Sequence, residues 1–375
     1  MQLIYSPMVE EDINDLEAPT EIKAFVRDNE HILFKGFIDR GYNGIVYFGT
    51  RVKMGEEVVV KFYLANEEFD ESEEALILRR ISHENILRVD DIKFLPPSNT
   101  YFLSPLIAGG DLQNLIDTET ISSATALRLV QKLLLGLNEL HSIYKLVHRD
   151  LKPANLLYDS EKDNPIIADL GSVKKLDECQ SYTTASRCTT LYLPPESIEH
   201  NRYSIKSDIY QMGITLYQLL GGFFPLESPL DFLNSKELKI LDAVPKGFLW
   251  TRKSNELINE KILKGKILNL KTLPAHLPAR FKNIVRKACH IDENKRYNNV
   301  SLFLTDVNRL IQDFPDYIVD GDEILIKHAN LNEYRITSSD KKTYQVSKKL
   351  NGKGWRRVKT MDGSLPETIK STLKP

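Results

Sequence analysis

The sequence predicts an α+β chain in three parts, and three changes of pattern predict it. Residues 31–106 alternate apolar and polar side chains like strands, as in HILFKGFID, GIVYFGT and EVVVKFYL. After Gly109-Gly110 the apolar residues recur at three- and four-residue steps, the period of amphipathic helices. From residue 315 to 375 the two-residue period returns, broken by turn residues at Ser338-Ser339-Asp340 and Asn351-Gly352.

Composition bounds what such a chain can be. It has 375 residues, 42% hydrophobic and 27% charged, which is ordinary globular usage and enough for about two domains. The net charge of −2 provides no field to attract nucleic acid or a membrane surface to the protein as a whole. Three scattered cysteines, Cys179, Cys188 and Cys289, make neither a disulfide framework nor a zinc site and suggest a reducing compartment. The acidic start MQLIYSPMVEEDINDLE is not a signal peptide, and no apolar run approaches the ~18–20 residues that span a bilayer. A cytoplasmic location away from membranes is expected.

Taken in order, residues 1–30 form an acidic segment expected at the periphery. The strand-rich part, 31–106, adds ILRVDDIKF and TYFLSPL to the segments above. One helix, roughly Glu67 to Ile81, interrupts it with Leu76, Leu78 and Ile81 apolar. The helical part, 107–314, opens with ATALRLVQKLLLGLNELH, whose Leu127, Val130, Leu134, Leu137 and His141 share a core-facing stripe. Further helices are expected near 207–220, 256–263, 278–290 and 299–313. In the last part, EILIKH, EYRITS, KTYQVSKK and GWRRVKT read as strands.

Within the first part, DRGYNGIVYFG admits two readings. Asn43-Gly44 between apolar residues is a strong hairpin signal, because both turn positions need positive φ. Gly41 and Gly44, with Val46 two residues on, also make most of a phosphate-covering loop, although Asp39 stands where such a loop wants its first glycine. The two readings stay open on this stretch alone.

The run LVHRDLKPANLL, residues 146–157, resembles position by position the catalytic loop of eukaryotic-type (Hanks-type) serine/threonine protein kinases. IIADLGS follows at the family's spacing, its Asp169 lying 19 residues after Asp150, with Leu170 in place of the usual Phe. EVVVKFY ends on Lys61, and EEALILRRISHENIL, LSPLIAGGDL, TTLYLPPES, SDIYQMG and DENKRYNN come in the family's order. The resemblance covers about residues 33–313. It implies a bilobal kinase-like fold over residues 31–314, with a β-rich N-lobe (31–106) and a helical C-lobe (107–314); the strand pattern beyond it adds a small β-rich basic module at 315–375.

The same resemblance implies roles. Asp150 would orient a substrate hydroxyl and accept its proton, Lys152 would reach the γ-phosphate of ATP, and Asn155 and Asp169 would hold Mg²⁺. Lys61, paired with Glu74 (Glu73 is the alternative), would hold the α- and β-phosphates. Gly41 and Gly44 would cover the phosphates. Val46, Val59, Ser104, Leu106 and Leu157 would surround the adenine, with the hinge backbone supplying its hydrogen bonds. Asp111 would meet the ribose or simply cap the helix DLQNLID. Glu196 with Arg296, Asp208 and Thr189 are expected as structural residues, and Lys152 with Thr189 points to Ser/Thr substrates.

Regulation and partners are further expectations. Arg149, before Asp150, would await a phosphate on the loop, with Thr183, Thr184 and Ser186 the preferred positions, or would be satisfied by backbone carbonyls. Residues 331–375 carry 11 Lys and Arg against 4 Asp and Glu, a balance of +7 around Trp355, Arg356, Arg357 and Lys359. That segment is either a solvated basic sheet or a docking site for an acidic partner or nucleic acid. The competing function is a pseudokinase or ATP-binding scaffold, to which Asp39 and Val59 lend support; a small-molecule phosphotransferase is disfavoured by Glu196, Arg296 and the Thr189 loop.

Overall fold

Alternating strands need partners, and in the computed structural model they find them in a five-stranded antiparallel sheet. The structure describes residues 18–38, 45–63, 73–96, 99–176, 182–184, 190–225, 229–328, 332–338, 342–350 and 353–372. After helix α1 (Thr20–Arg27) come β1 (Ile32–Ile38), β2 (Ile45–Arg51), β3 (Glu57–Tyr63), helix α2 (Glu73–Arg80), β4 (Asp91–Leu95) and β5 (Asn99–Pro105). The strand order is β1-β2-β3-β5-β4.

The two-residue period sorts the sheet's side chains onto two faces. Ile45, Tyr47, Val58, Val60 and Phe62 are buried on one face and pack with Ile22 and Val26 of α1. Phe25 of α1 meets the rings of Phe34 and Phe62 edge-on. Residues 20–27 are therefore not peripheral, as the acidic composition of 1–30 suggests. Ile22 and Val26 lie four apart, so one helix face is apolar and must be covered. On the opposite face, Val46 is paired with Lys61 and Val59 with Ser104. That face looks toward the catalytic segments. Helix α2 is described from Glu73, and residues 64–72, where the sequence starts this helix, lie outside the described residues.

The second lobe contains α3 (Leu112–Thr118), α4 (Ser123–Ser142), β6 (Leu146–Val147), β7 (Leu156–Asp159), β8 (Asn164–Ile167), β9 (Lys174–Lys175) and β10 (Thr183–Thr184). It continues with α5 (Pro195–His200), β11 (Arg202–Tyr203), α6 (Ile205–Leu219), α7 (Ser235–Asp242), α8 (Phe248–Leu263), α9 (Ala279–Ala288) and α10 (Val300–Asp313). Residues 207–219 of α6 are all buried, as expected for a helix covered on every side. The expected stripe of α4, Leu127, Val130, Leu134, Leu137 and His141, is buried throughout. The lobes are joined at Asn85, whose side-chain amide donates to Asn164 Oδ1 and to the Pro165 carbonyl, both at 2.9 Å. Its carbonyl accepts from Ile167 N–H at 2.9 Å, two residues before Asp169.

The C-terminal part is a five-stranded antiparallel meander, β12 (Asp316–Asp320), β13 (Glu323–Lys327), β14 (Glu333–Thr337), β15 (Thr343–Lys349) and β16 (Arg356–Asp362), followed by α11 (Leu365–Thr372). It shares the core of the second lobe: Tyr317, Ile326, Val346 and Ile369 belong to the same buried cluster as α4 and α6. A unit of about 60 residues buries only about 60% of its surface alone, and this one gains the rest from its neighbour. The seam is also polar. Asp316 Oδ1 accepts from Ala124 N–H at 2.8 Å, and Ser123 Oγ accepts from Tyr317 N–H at 2.9 Å. Among the described residues, no helix is long and apolar enough to cross a membrane.

Candidate active site

The catalytic-loop segment leaves β6 through a backbone that needs outside support. Arg149 has φ of 71°, a conformation that persists only where the surroundings impose it. The support comes from α6. Asp208, fully buried, accepts from His148 N–H at 2.8 Å and Arg149 N–H at 3.0 Å, and lies 2.7 Å from His141 Nε2. Burial alone would push the Asp208 carboxyl up. The His141 hydrogen bond and the nearby imidazoles offset this and leave it below the ordinary carboxylate value. One turn along α6, Gln211 accepts from Leu151 N–H at 2.7 Å and donates to the Arg149 and Tyr192 carbonyls at 3.4 and 3.2 Å. Sequence reasoning assigned this brace to Asp208 alone. The signal for Gln211 was available: a second polar residue three positions on, in a helix otherwise built for a core.

Asp150 sits beneath this loop, 1% exposed. Its Oδ2 accepts from Asn155 Nδ2 at 2.8 Å and lies 3.1 Å from Lys152 Nζ. Asn155 Nδ2 also donates to the Asp150 carbonyl at 2.7 Å. Both amide hydrogens of Asn155 are thus spent on Asp150, and its Oδ1 is left as an acceptor. Asp150 Oδ1 is buried and has no hydrogen-bond partner among the described residues.

Asp169 follows β8 in the left-handed region, φ 54° and ψ 58°, ahead of the 3-10 turn Leu170–Ser172 that its side chain does not cap. Its Oδ1 is instead bonded to Lys61 Nζ and to Tyr63 Oη, the latter at 3.1 Å. Burial pushes the Asp169 carboxyl up, but the Lys61 ammonium, the His148 ring and the Tyr63 hydrogen bond together outweigh it, so the group ionises more readily than usual. The structure pairs Lys61 with Asp169. Glu74 lies on α2, but its side chain, like that of Glu73, lies outside the described residues, as do Asp39, Gly41, Gly44, Ser186 and Thr189.

The remaining predicted residues are spread along the same cleft. Val46, Val59 and Leu157 are half-buried, and Ser104 is buried opposite Val59. Leu106 N–H is already donated to the Glu57 carbonyl at 3.1 Å, so that amide is not free for a ligand. Ile107 N–H, next along, has no partner among the described residues. Asp111 caps α3, its Oδ1 accepting from Asn114 N–H at 2.8 Å. Arg149 donates from Nε to the Ser172 carbonyl at 2.6 Å and from Nη1 to the Thr184 carbonyl at 2.9 Å. Further down, Arg296 holds Glu196 by two bonds of 2.8 and 2.7 Å, with Ser207 Oγ donating to the same carboxylate at 2.6 Å.

No group of three or more His, Cys, Asp or Glu among the described residues makes a metal cage. Mg²⁺ does not require one, since one or two protein oxygens with phosphates and waters suffice. The Asp169 oxygen not bonded to Lys61 and the Asn155 Oδ1 are hard oxygen donors with no other partner among the described residues, and they suit that ion.

Residues 34–306 match the protein kinase domain family. The chain is 28% identical over 273 residues to myosin light chain kinase A of Dictyostelium discoideum, covering 71% of this chain and 83% of that protein. It is 27% identical to the probable serine/threonine-protein kinase PknB of Lactococcus lactis and 32% identical to human serine/threonine-protein kinase H1. Those matches take in 78% and 52% of this chain, but only 45% and 47% of the two relatives. The family match spans well over half of the sequence and runs through every segment of the cleft described above, so the chain belongs to the protein kinase family.

Proposed function

We propose that the enzyme transfers the γ-phosphate of Mg-ATP to Ser or Thr hydroxyls of a protein substrate. The observation that supports this best is the joint geometry of Asp150, Asn155 and Asp169. Among the described residues, Asp150 and Asp169 each spend one carboxylate oxygen on holding position and have no partner on the other, and Asn155 has none on its carbonyl oxygen. In this reading Asp150 Oδ1 takes the proton of the substrate hydroxyl. A base with its second oxygen fixed by Asn155 and Lys152 stays aimed through the reaction. Lys152, one ion pair away, passes to the γ-phosphate as the charge moves. Lys61 turns from Asp169 to the α- and β-phosphates. Asp169 and Asn155 would hold Mg²⁺, which, when bound, neutralises the phosphate oxygens. Gly41 and Gly44 would cover the phosphates, and Ile107 N–H would serve the adenine where Leu106 N–H cannot. Asp111 retains one carboxylate oxygen for the ribose.

The test is ATP consumption with a generic protein substrate, wild type beside Asp150→Ala. Loss of turnover by about 10²–10⁴-fold is expected for removal of a general base. Equal rates in the two proteins would leave the pseudokinase reading standing.

For the activation loop, the two carbonyl contacts of Arg149 favour the carbonyl-satisfied alternative over an obligatory phosphate. Thr184, exposed on β10, remains an acceptor position that would modulate the rate without being required. Activity of a Thr183→Ala/Thr184→Ala/Ser186→Ala variant decides this: retained turnover is expected, and its loss would restore the phosphate requirement.

For the basic module, Lys348, Lys353, Arg356 and Arg357 border a surface cavity of about 370 Å³. Their charge supports docking of an acidic partner. Because the module shares the kinase core, its removal would unfold the protein. Reversing Lys353, Arg356 and Arg357 to Glu, then comparing peptide phosphorylation with RNA and DNA mobility shifts, is the cleaner test. A cytoplasmic location is part of the same reading.

A further inference from the structure

Tyr63 lies two residues beyond Lys61 on β3, on the same face of the strand, and no part of the proposed reaction uses it. Its hydroxyl donates to Asp169 Oδ1 at 3.1 Å, the oxygen that Lys61 also contacts. Its ring rests on Gly171 so closely that a Cβ added there would lie 2.0 Å from Cε1. The ring also meets Phe102, centroid to centroid, at 4.9 Å. The hydroxyl is therefore held in place by packing.

Asp169 needs that donor. Its left-handed backbone is rare for a residue with a side chain, and its carboxylate does not cap the turn that follows. Two donors, Lys61 and Tyr63, orient it among the described residues. Lys61 is the one that a nucleotide would draw away onto its phosphates. Tyr63 carries no charge to be drawn away, and its packed ring holds the hydroxyl at Asp169.

We infer that Tyr63 is a positioning residue for Asp169. Through Oδ1 it keeps the carboxylate turned with Oδ2 available to a cation, and it would take over this task once Lys61 is drawn to the phosphates. The inference rests on the Mg-ATP reading above.

The experiment is calorimetric titration of ADP at a series of Mg²⁺ concentrations, with wild type, Tyr63→Phe, Tyr63→Leu and Asp169→Asn. Thermal melts without ligand check that each variant folds. Losing a group that orients a metal ligand typically costs about 10–100-fold in metal affinity, and the lower end, about tenfold, is expected for the Mg²⁺ midpoint of both Tyr63 variants. ADP affinity at saturating Mg²⁺ should be unchanged in Tyr63→Phe. A Tyr63→Phe midpoint equal to wild type overturns the inference. A shift in Tyr63→Leu alone also overturns it, because the ring and not the hydroxyl would then matter. If wild type binds ADP without regard to Mg²⁺, or Asp169→Asn matches wild type, the Mg-ATP reading falls and the role of Tyr63 falls with it.

Discussion

Two acids in the floor of the second lobe and two at its mouth have the same chemistry and opposite surroundings. Asp208 and Glu196 have partners on both carboxylate oxygens: two backbone amides and His141 for the first, Arg296 twice and Ser207 for the second. Among the described residues, Asp150 and Asp169 are tied by one oxygen only, to Asn155 and Lys152 in one case and Lys61 and Tyr63 in the other. The difference teaches how to read a buried carboxylate. A closed one builds structure; an open one keeps a valence for a ligand and costs stability while it waits, about 1–3 kcal/mol for an unmade hydrogen bond.

The largest effect should come from opening a closed acid. Arg296→Met leaves Glu196 charged and unpaired inside the protein, and should cost about 3–5 kcal/mol in urea unfolding. The double variant Glu196→Leu/Arg296→Met should recover most of that loss, since the penalty is the stranded charge and not the missing pair. A single variant as stable as wild type would break the comparison. At the open end, Asp150→Ala, which should cut turnover sharply in the proposed reaction, should leave stability unchanged or raise it by up to about 1 kcal/mol. A clear destabilisation would place Asp150 among the closed acids.

A third situation, a buried base kept neutral, spreads its effect across pH. His276 packs against Tyr317 of β12, and burial, with the Lys282 charge adding, lowers its pKa from 6.5 to about 4. The folded state then takes up its proton less readily than the unfolded chain. Stability should therefore fall as pH drops from about 6.5 toward about 4, and His276→Gln should flatten that slope. Urea midpoints across this window measure it, and an unchanged slope in the variant would show that other groups carry the dependence.

The catalytic loop was legible because its chemistry is local. Asp150, Lys152 and Asn155 lie in one short run, so the chain alone places them in one loop, although Asp208 and Gln211 of α6 set its conformation. The strands of the first lobe and the buried stripe of α4 were legible for a similar reason, since their periods are printed in consecutive residues. Helix α1, β12 and α11 were not. Each is short, eight residues or fewer, so even the apolar face of α1 spans too few turns to stand out, and what orders it is the surface it covers.

By itself the sequence determined the family, the order of the motifs and the spacing of the reactive groups. Only the tertiary structure decided who holds them. Gln211 braces a loop 60 residues away, Lys61 meets Asp169 across 108, and Tyr63 reaches the same carboxylate across 106. The C-terminal strands, which read as a separate basic module, turn out to share the kinase core. The physical reason is common to all of these. A hydrogen-bond partner or a buried contact depends on distance in space, and chain spacing encodes that distance only within a turn, a strand pair or a helix face.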